Sequence, residues 1–137
     1  MIERRRARFL AVFGLLLALA LPGTARASGE ESPFLLILEG SPAVKFVMIC
    51  DVIDGSAREQ VRRRNLLAHS YRFAVDAIDC RITLLDDHGR LEVYLYEGER
   101  LIAAEDSIAT RAAIGVRSGG PWGPPAAWRD ISGRRVR

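Results

Sequence analysis

Cys50 and Cys80 are the two residues of this chain whose type and setting most directly predict chemistry. They are the only cysteines among 137 residues, and 30 positions separate them. Cys50 shares an alternation with Val44, Phe46, Met48 and Val52, and Cys80 shares one with Ile78, Ile82 and Leu84. Both thiols therefore fall on the apolar face of a strand-like stretch, and a one-residue slip in either would turn its cysteine toward water. In a small exported domain such a pair is expected to form a disulfide. Chain-entropy reasoning puts closure of a loop of this length at about 3.5 kcal/mol. Two cysteines lack a second ligand pair, and neither His69 nor His88 has metal spacing to them, so no metal ligands are assigned.

The bridge carries a geometric corollary. It should bring the turn at Asp51–Asp54 and the bend at Asp76–Asp79 to one end of the molecule, gathering Asp51, Asp54, Asp76 and Asp79. Oxygen-rich loop clusters suit Ca²⁺, whereas turn aspartates commonly bond their own backbone. The second reading is preferred, and calcium stays as an alternative. Catalysis finds little footing. His69 and Ser70 are adjacent in sequence, His88 falls at a turn beside Asp87, and no nucleophile-elbow glycine pattern surrounds a serine.

A different chemistry is offered near the C-terminus. Trp122 and Trp128 flank Pro124-Pro125, and Arg129, Arg134, Arg135 and Arg137 follow. Exposed tryptophan with arginine is the composition of binding hot spots, and a proline-rich segment is already extended for docking. Trp122, Trp128, Arg134 and Arg135 are the expected partner-binding residues, with Trp122 alternatively a plug against the domain. Arg62-Arg63-Arg64 reads as an edge strand or a short helical turn with solvated arginines, because charge is a common protection for edges.

The elements that must position these residues begin after an address. Arg4, Arg5, Arg6 and Arg8 precede 13 uncharged residues, Phe9 to Leu21, and Ala25-Arg26-Ala27 supplies small residues for cleavage before Ser28. That is the pattern of a signal peptide over residues 1–27, and its apolar core is short for a membrane span. Removing it takes five arginines and one glutamate. The 110 residues left carry 15 basic and 16 acidic side chains, a net charge of −1. The basic balance of the full chain thus resides in the address, and nucleic acid is not an expected partner.

Beyond Ser28 the chain alternates apolar and polar residues in short runs bounded by glycine, proline and aspartate. Runs at 34–38, 44–52, 71–75 and 112–116 read as strands. Residues Ala77 to Ala104 read as a three-stranded meander, with turns at Asp86–Gly89 and Glu97-Gly98. Seven to eight short strands predict an all-β fold, an antiparallel β-sandwich of immunoglobulin-like style over residues 28–120. An α+β fold with a helix at 57–69 is the alternative. Residues 121–137 are expected to be an extended or disordered tail.

The cysteine pair, the Ala77-Ile78-Asp79-Cys80-Arg81-Ile82 stretch, an Asp-x-x-Gly turn and the closing Val116-Arg117-Ser118-Gly119-Gly120-Pro121-Trp122-Gly123 resemble small exported bacterial β-sandwich proteins of unknown function. The likeness covers most of residues 40–123 and implies a fold and a compartment, with no activity. The expectation is a periplasmic or secreted, non-enzymatic β-sandwich that binds or scaffolds an envelope protein. It carries no cofactor and, once mature, no transmembrane segment. A Ca²⁺-dependent module and a small hydrolase are the alternatives.

Overall fold

The structure is a computed structural model, described here for residues 33–130. The signal peptide expected over residues 1–27, together with Arg134 and Arg135, lies outside the described residues. Nine strands follow one another: β1 (Phe34–Gly40), β2 (Lys45–Asp54), β3 (Ala57–Leu66), β4 (His69–Phe73), β5 (Ala77–Leu84), β6 (Leu91–Glu97), β7 (Arg100–Ser107), β8 (Ala113–Arg117) and β9 (Ala126–Arg129). A single 3₁₀ turn, Gly120–Trp122, interrupts them before β9. The helix considered for 57–69 is absent, and its residues are the long strand β3 and the start of β4. No helix among the described residues is long and apolar enough to cross a membrane.

The strands form two antiparallel sheets, one ordered β4-β1-β6-β7 and the other β3-β2-β5-β8-β9. The fold is an all-β sandwich, as the alternating runs predict. Leu36, Leu38, Leu91, Val93 and Leu95 of the first sheet face Phe46, Met48, Cys50, Ile78, Cys80, Ile82, Ile114 and Val116 of the second, all essentially inaccessible to solvent. Each is an alternate residue of its strand, so burial on one side and a polar exterior follow from the period of two. Burying a side chain of this size contributes about 1.5–3 kcal/mol.

Three expectations need correction. The stretch 77–104 is not a meander, because β5 and β6 belong to different sheets and the link 85–90 crosses between them. Alternation says which face is apolar and is silent about which strand lies alongside. Within this stretch only β6 and β7 form a hairpin, and its two turn residues are Gly98 and Glu99, one position later than expected. The strands number nine because the segment after Pro121 contributes one. Ala126–Arg129 pairs antiparallel with Ile114–Arg117, and Asp130 continues the contact by donating its N–H to Ala113 O at 2.8 Å. A four-residue strand is too short to show a period, which is why composition alone suggests an extended tail there.

Two glycines make this packing possible. A Cβ on Gly40 would collide with the Arg90 carbonyl, and a Cβ on Gly115 would collide with the Trp128 indole. Trp128 thus lies flat across β8 where the sheet has no side chain.

Candidate docking edge

Among the described residues β3 is paired by β2 alone. The hairpin pairs all ten residues in unbroken register, from Lys45 opposite Leu66 to Asp54 opposite Ala57. Its turn is set by Gly55, at φ 60°, whose N–H donates to Asp76 Oδ2 at 2.6 Å. Beyond β3 the sheet has no further strand among the described residues. From the opposite sheet β4 packs its Tyr71 ring edge-on against Phe46 of β2, centroids 6.4 Å apart, and reaches β3 near its C-terminal end, where His69 Nε2 lies 3.3 Å from Asn65 Nδ2. Nine of the ten β3 residues are exposed, and Val61 alone packs partly against the core.

The register decides which backbone groups of β3 are free. Leu67 donates its N–H to Val44 O at 2.9 Å, so the odd-numbered residues of this strand face β2 with their N–H and C=O. Arg58, Gln60, Arg62, Arg64 and Leu66 point theirs outward. Two local contacts agree. The outward N–H of Leu66 donates to Asn65 Oδ1 at 2.9 Å, and the outward carbonyl of Arg62 accepts from Arg63 Nη1 at 2.9 Å. The same parity sorts the side chains. Val61 stands opposite the core-facing Cys50, so Arg58, Gln60, Arg62 and Arg64 occupy the outer face of the sheet.

The edge is also strongly basic. Four arginines and one glutamate give β3 a net charge of +3 over ten residues. Elsewhere in the described residues the salt bridges engage Arg81, Arg90, Arg100, Arg111 and Arg129, and none involves Arg58, Arg62, Arg63 or Arg64. Arg58 instead lies over the Trp122 ring, 5.6 Å from its centroid. At the other end of the edge Leu66 and Leu85, both over 40% exposed, line an open cleft of ≈ 250 Å³ between Lys45 and Arg64.

The sequence-derived candidates are thereby redistributed. Cys50 and Cys80 are bridged, directly opposite each other on β2 and β5, with Cα atoms 4.0 Å apart. Cys50 lies within its strand and does not end it. A disulfide in this position fits an oxidising compartment. Trp122 reaches the start of the β3 edge, whereas Trp128 sits two strands beyond β5, its ring under Arg117 at 5.4 Å. The two tryptophans thus pack under different arginines, Arg58 and Arg117.

The four aspartates do converge on one end, as the bridge requires. Asp51 stands opposite Asp79, Asp54 closes the β2–β3 hairpin, and Asp76 accepts from Gly55. Among the described residues no group of three or more acidic, histidine or cysteine side chains is arranged to hold a metal ion. Burial pushes the Asp79 carboxyl above the usual carboxylate value, and the Asp51 charge adds to this, while Arg117 and Arg58 pull it back.

His69 Nε2 lies 3.3 Å from Asn65 Nδ2, and its ring is tilted 52° against Tyr71, centroids 4.7 Å apart, so its contacts are with an amide and an aromatic ring. His88 is at an exposed loop tip.

No protein-family model matches the chain, and no curated protein or solved structure matches it significantly. The functional reading therefore rests on geometry. The composition signal for the edge is present in Arg62-Arg63-Arg64, but charge on an edge strand also serves to keep other strands away. What distinguishes a docking edge is the length left exposed and the parity of outward backbone groups, and the parity needs the register.

Proposed function

We propose that this protein is an exported, non-enzymatic β-sandwich that binds or scaffolds a partner in the cell envelope. The observation carrying the proposal is β3: a ten-residue edge exposed over nearly its whole length, with arginines that form no salt bridge to a carboxylate of the described residues. A strand kept there adds almost nothing to the core, and as edge protection it is long where edges are usually short. The buried Cys50–Cys80 bridge supports the compartment, and the signal-peptide pattern of residues 1–27 supports the route.

The test is photo-crosslinking in the intact envelope from a probe amino acid at Gln60, compared with a probe at Ile108 on the far loop. A discrete adduct from Gln60 and none from Ile108 is the expected result. Adducts from both positions alike, or from neither, would remove the proposal. Truncation after Asp130 tests the role of Arg134 and Arg135. A cut at 121 would also strip β9 from the sheet, so it cannot serve that purpose.

A further inference from the structure

We infer that the β3 edge takes an extended acidic polypeptide segment as a sixth strand, one with carboxylates at alternate positions. The inference rests on the binding-module reading and names the chemistry of the partner. A strand laid along β3 would meet the outward N–H and C=O groups of Arg58, Gln60, Arg62 and Arg64. Residues of the added strand opposite these four carry their side chains on the same outer face. The guanidinium groups of Arg62 and Arg64 are two positions apart, roughly 6.6 Å along a strand. Carboxylates at positions i and i+2 of the guest match that spacing, and each pair joins a backbone contact to a charge pair.

The intervening guest residues fall on the inner face beside Val61, the one β3 side chain packed against the core, and there an apolar β-branched residue fits. At the Leu66 end, the cleft bordered by Leu66, Leu85 and Lys45 suits one further apolar side chain.

Rival occupants meet this edge less well. A second copy aligned edge to edge would bring two strands of net charge +3 together. A membrane surface needs apolar side chains protruding beside the basic ones, and the exposed apolar side chains of β3 are few, Leu66 chief among them. A polyanion without a peptide backbone would satisfy the arginines and leave the outward N–H and C=O groups unused.

The experiment uses the mature, disulfide-bonded protein and a labelled ten-residue peptide alternating glutamate with valine. Three comparison peptides accompany it: one of the same composition with the glutamates in a block, one with lysine for glutamate, and one N-methylated at alternate residues. The alternating peptide should bind, more weakly as salt rises. The double variant Arg62→Glu/Arg64→Glu, checked for an unchanged melt, should weaken it roughly tenfold or more, as loss and reversal of two charge pairs implies. Amide exchange should slow at Arg58, Gln60 and Arg64 on binding, while Val61 and Arg63, already bonded to β2, change little.

Equal binding of the blocked or N-methylated peptide would overturn strand addition. Arginine-dependent binding to vesicles containing 30% anionic lipid, with none to the peptide, would overturn the partner class. If no peptide binds while Gln60 still crosslinks to one envelope component, this inference fails and the binding-module reading stands.

Discussion

Asp51 and Asp79 face each other across β2 and β5, one residue along from the bridged Cys50 and Cys80 and on the opposite face of the sheet. Two like charges directly opposite on neighbouring strands are destabilising. Asp79 bears the cost, since its carboxyl is held above the ordinary value by burial first and by Asp51 second. The folded chain binds this proton more tightly than the unfolded one. The stability that Asp79 contributes is therefore greatest in acid. It declines as pH rises from the unfolded pKa of about 3.9 through the folded value, and is flat above that. Asp79→Asn should raise Tm at pH 7, with a gain of order 0.2–1 kcal/mol that vanishes toward pH 3. Melts of both proteins across that range check it. A lower Tm at pH 7 would show that Arg117 and Arg58 outweigh Asp51.

The bridge closes a loop spanning 30 residues in the middle of the core sheet. Replacing both cysteines by alanine, which leaves no buried polar group behind, should cost about 2–5 kcal/mol. Denaturant titration with and without reductant gives the number. A reductant-insensitive midpoint for the native protein, together with two free thiols on mapping, would remove the bridge from the fold.

Trp128 and Gly115 form one packing unit, because the indole occupies the space a Cβ would need. Gly115→Ala should destabilise by about 1–3 kcal/mol, the usual cost of overpacking. In a Trp128→Ala background the same change should be almost free. A double-mutant cycle on thermal stability measures the coupling, and additive effects would mean that the ring does not sit on β8 in solution.

Cleavage before Ser28 is the outcome expected of the pattern in residues 1–27. Intact-mass measurement on protein recovered from the periplasm or medium should give a chain starting there. A species retaining Phe9 to Leu21 would make this a membrane-anchored protein.

Much of the sandwich is readable from the chain, and the reasons for the remainder are physical. Strand existence and facing follow from alternation, so Phe46, Met48, Cys50, Ile78, Cys80 and Ile82 are identifiable as core from the residue pattern alone. Partnership does not follow. The link 85–90 can close a hairpin or cross between layers, and here it crosses. The residue pattern also groups Trp122 with Trp128, yet β9 carries Trp128 onto Gly115 while Trp122 stops under Arg58. For β3 the arginines are evident, but which of them shares its position with a free N–H depends on the pairing of Leu67 with Val44, a relation between distant residues.

On the flank away from β3, Arg129 of β9 donates Nε–H to Asp106 O of β7 at 2.7 Å and pairs with Glu105 at 3.3 Å. That clasp joins the two sheets where the four-residue β9 would otherwise offer a second edge. The consequence is one of valence. The five-stranded sheet can accept a guest strand on one side and has no equivalent place to pass the pairing on, so complexes should stop at one guest per copy and not grow into filaments.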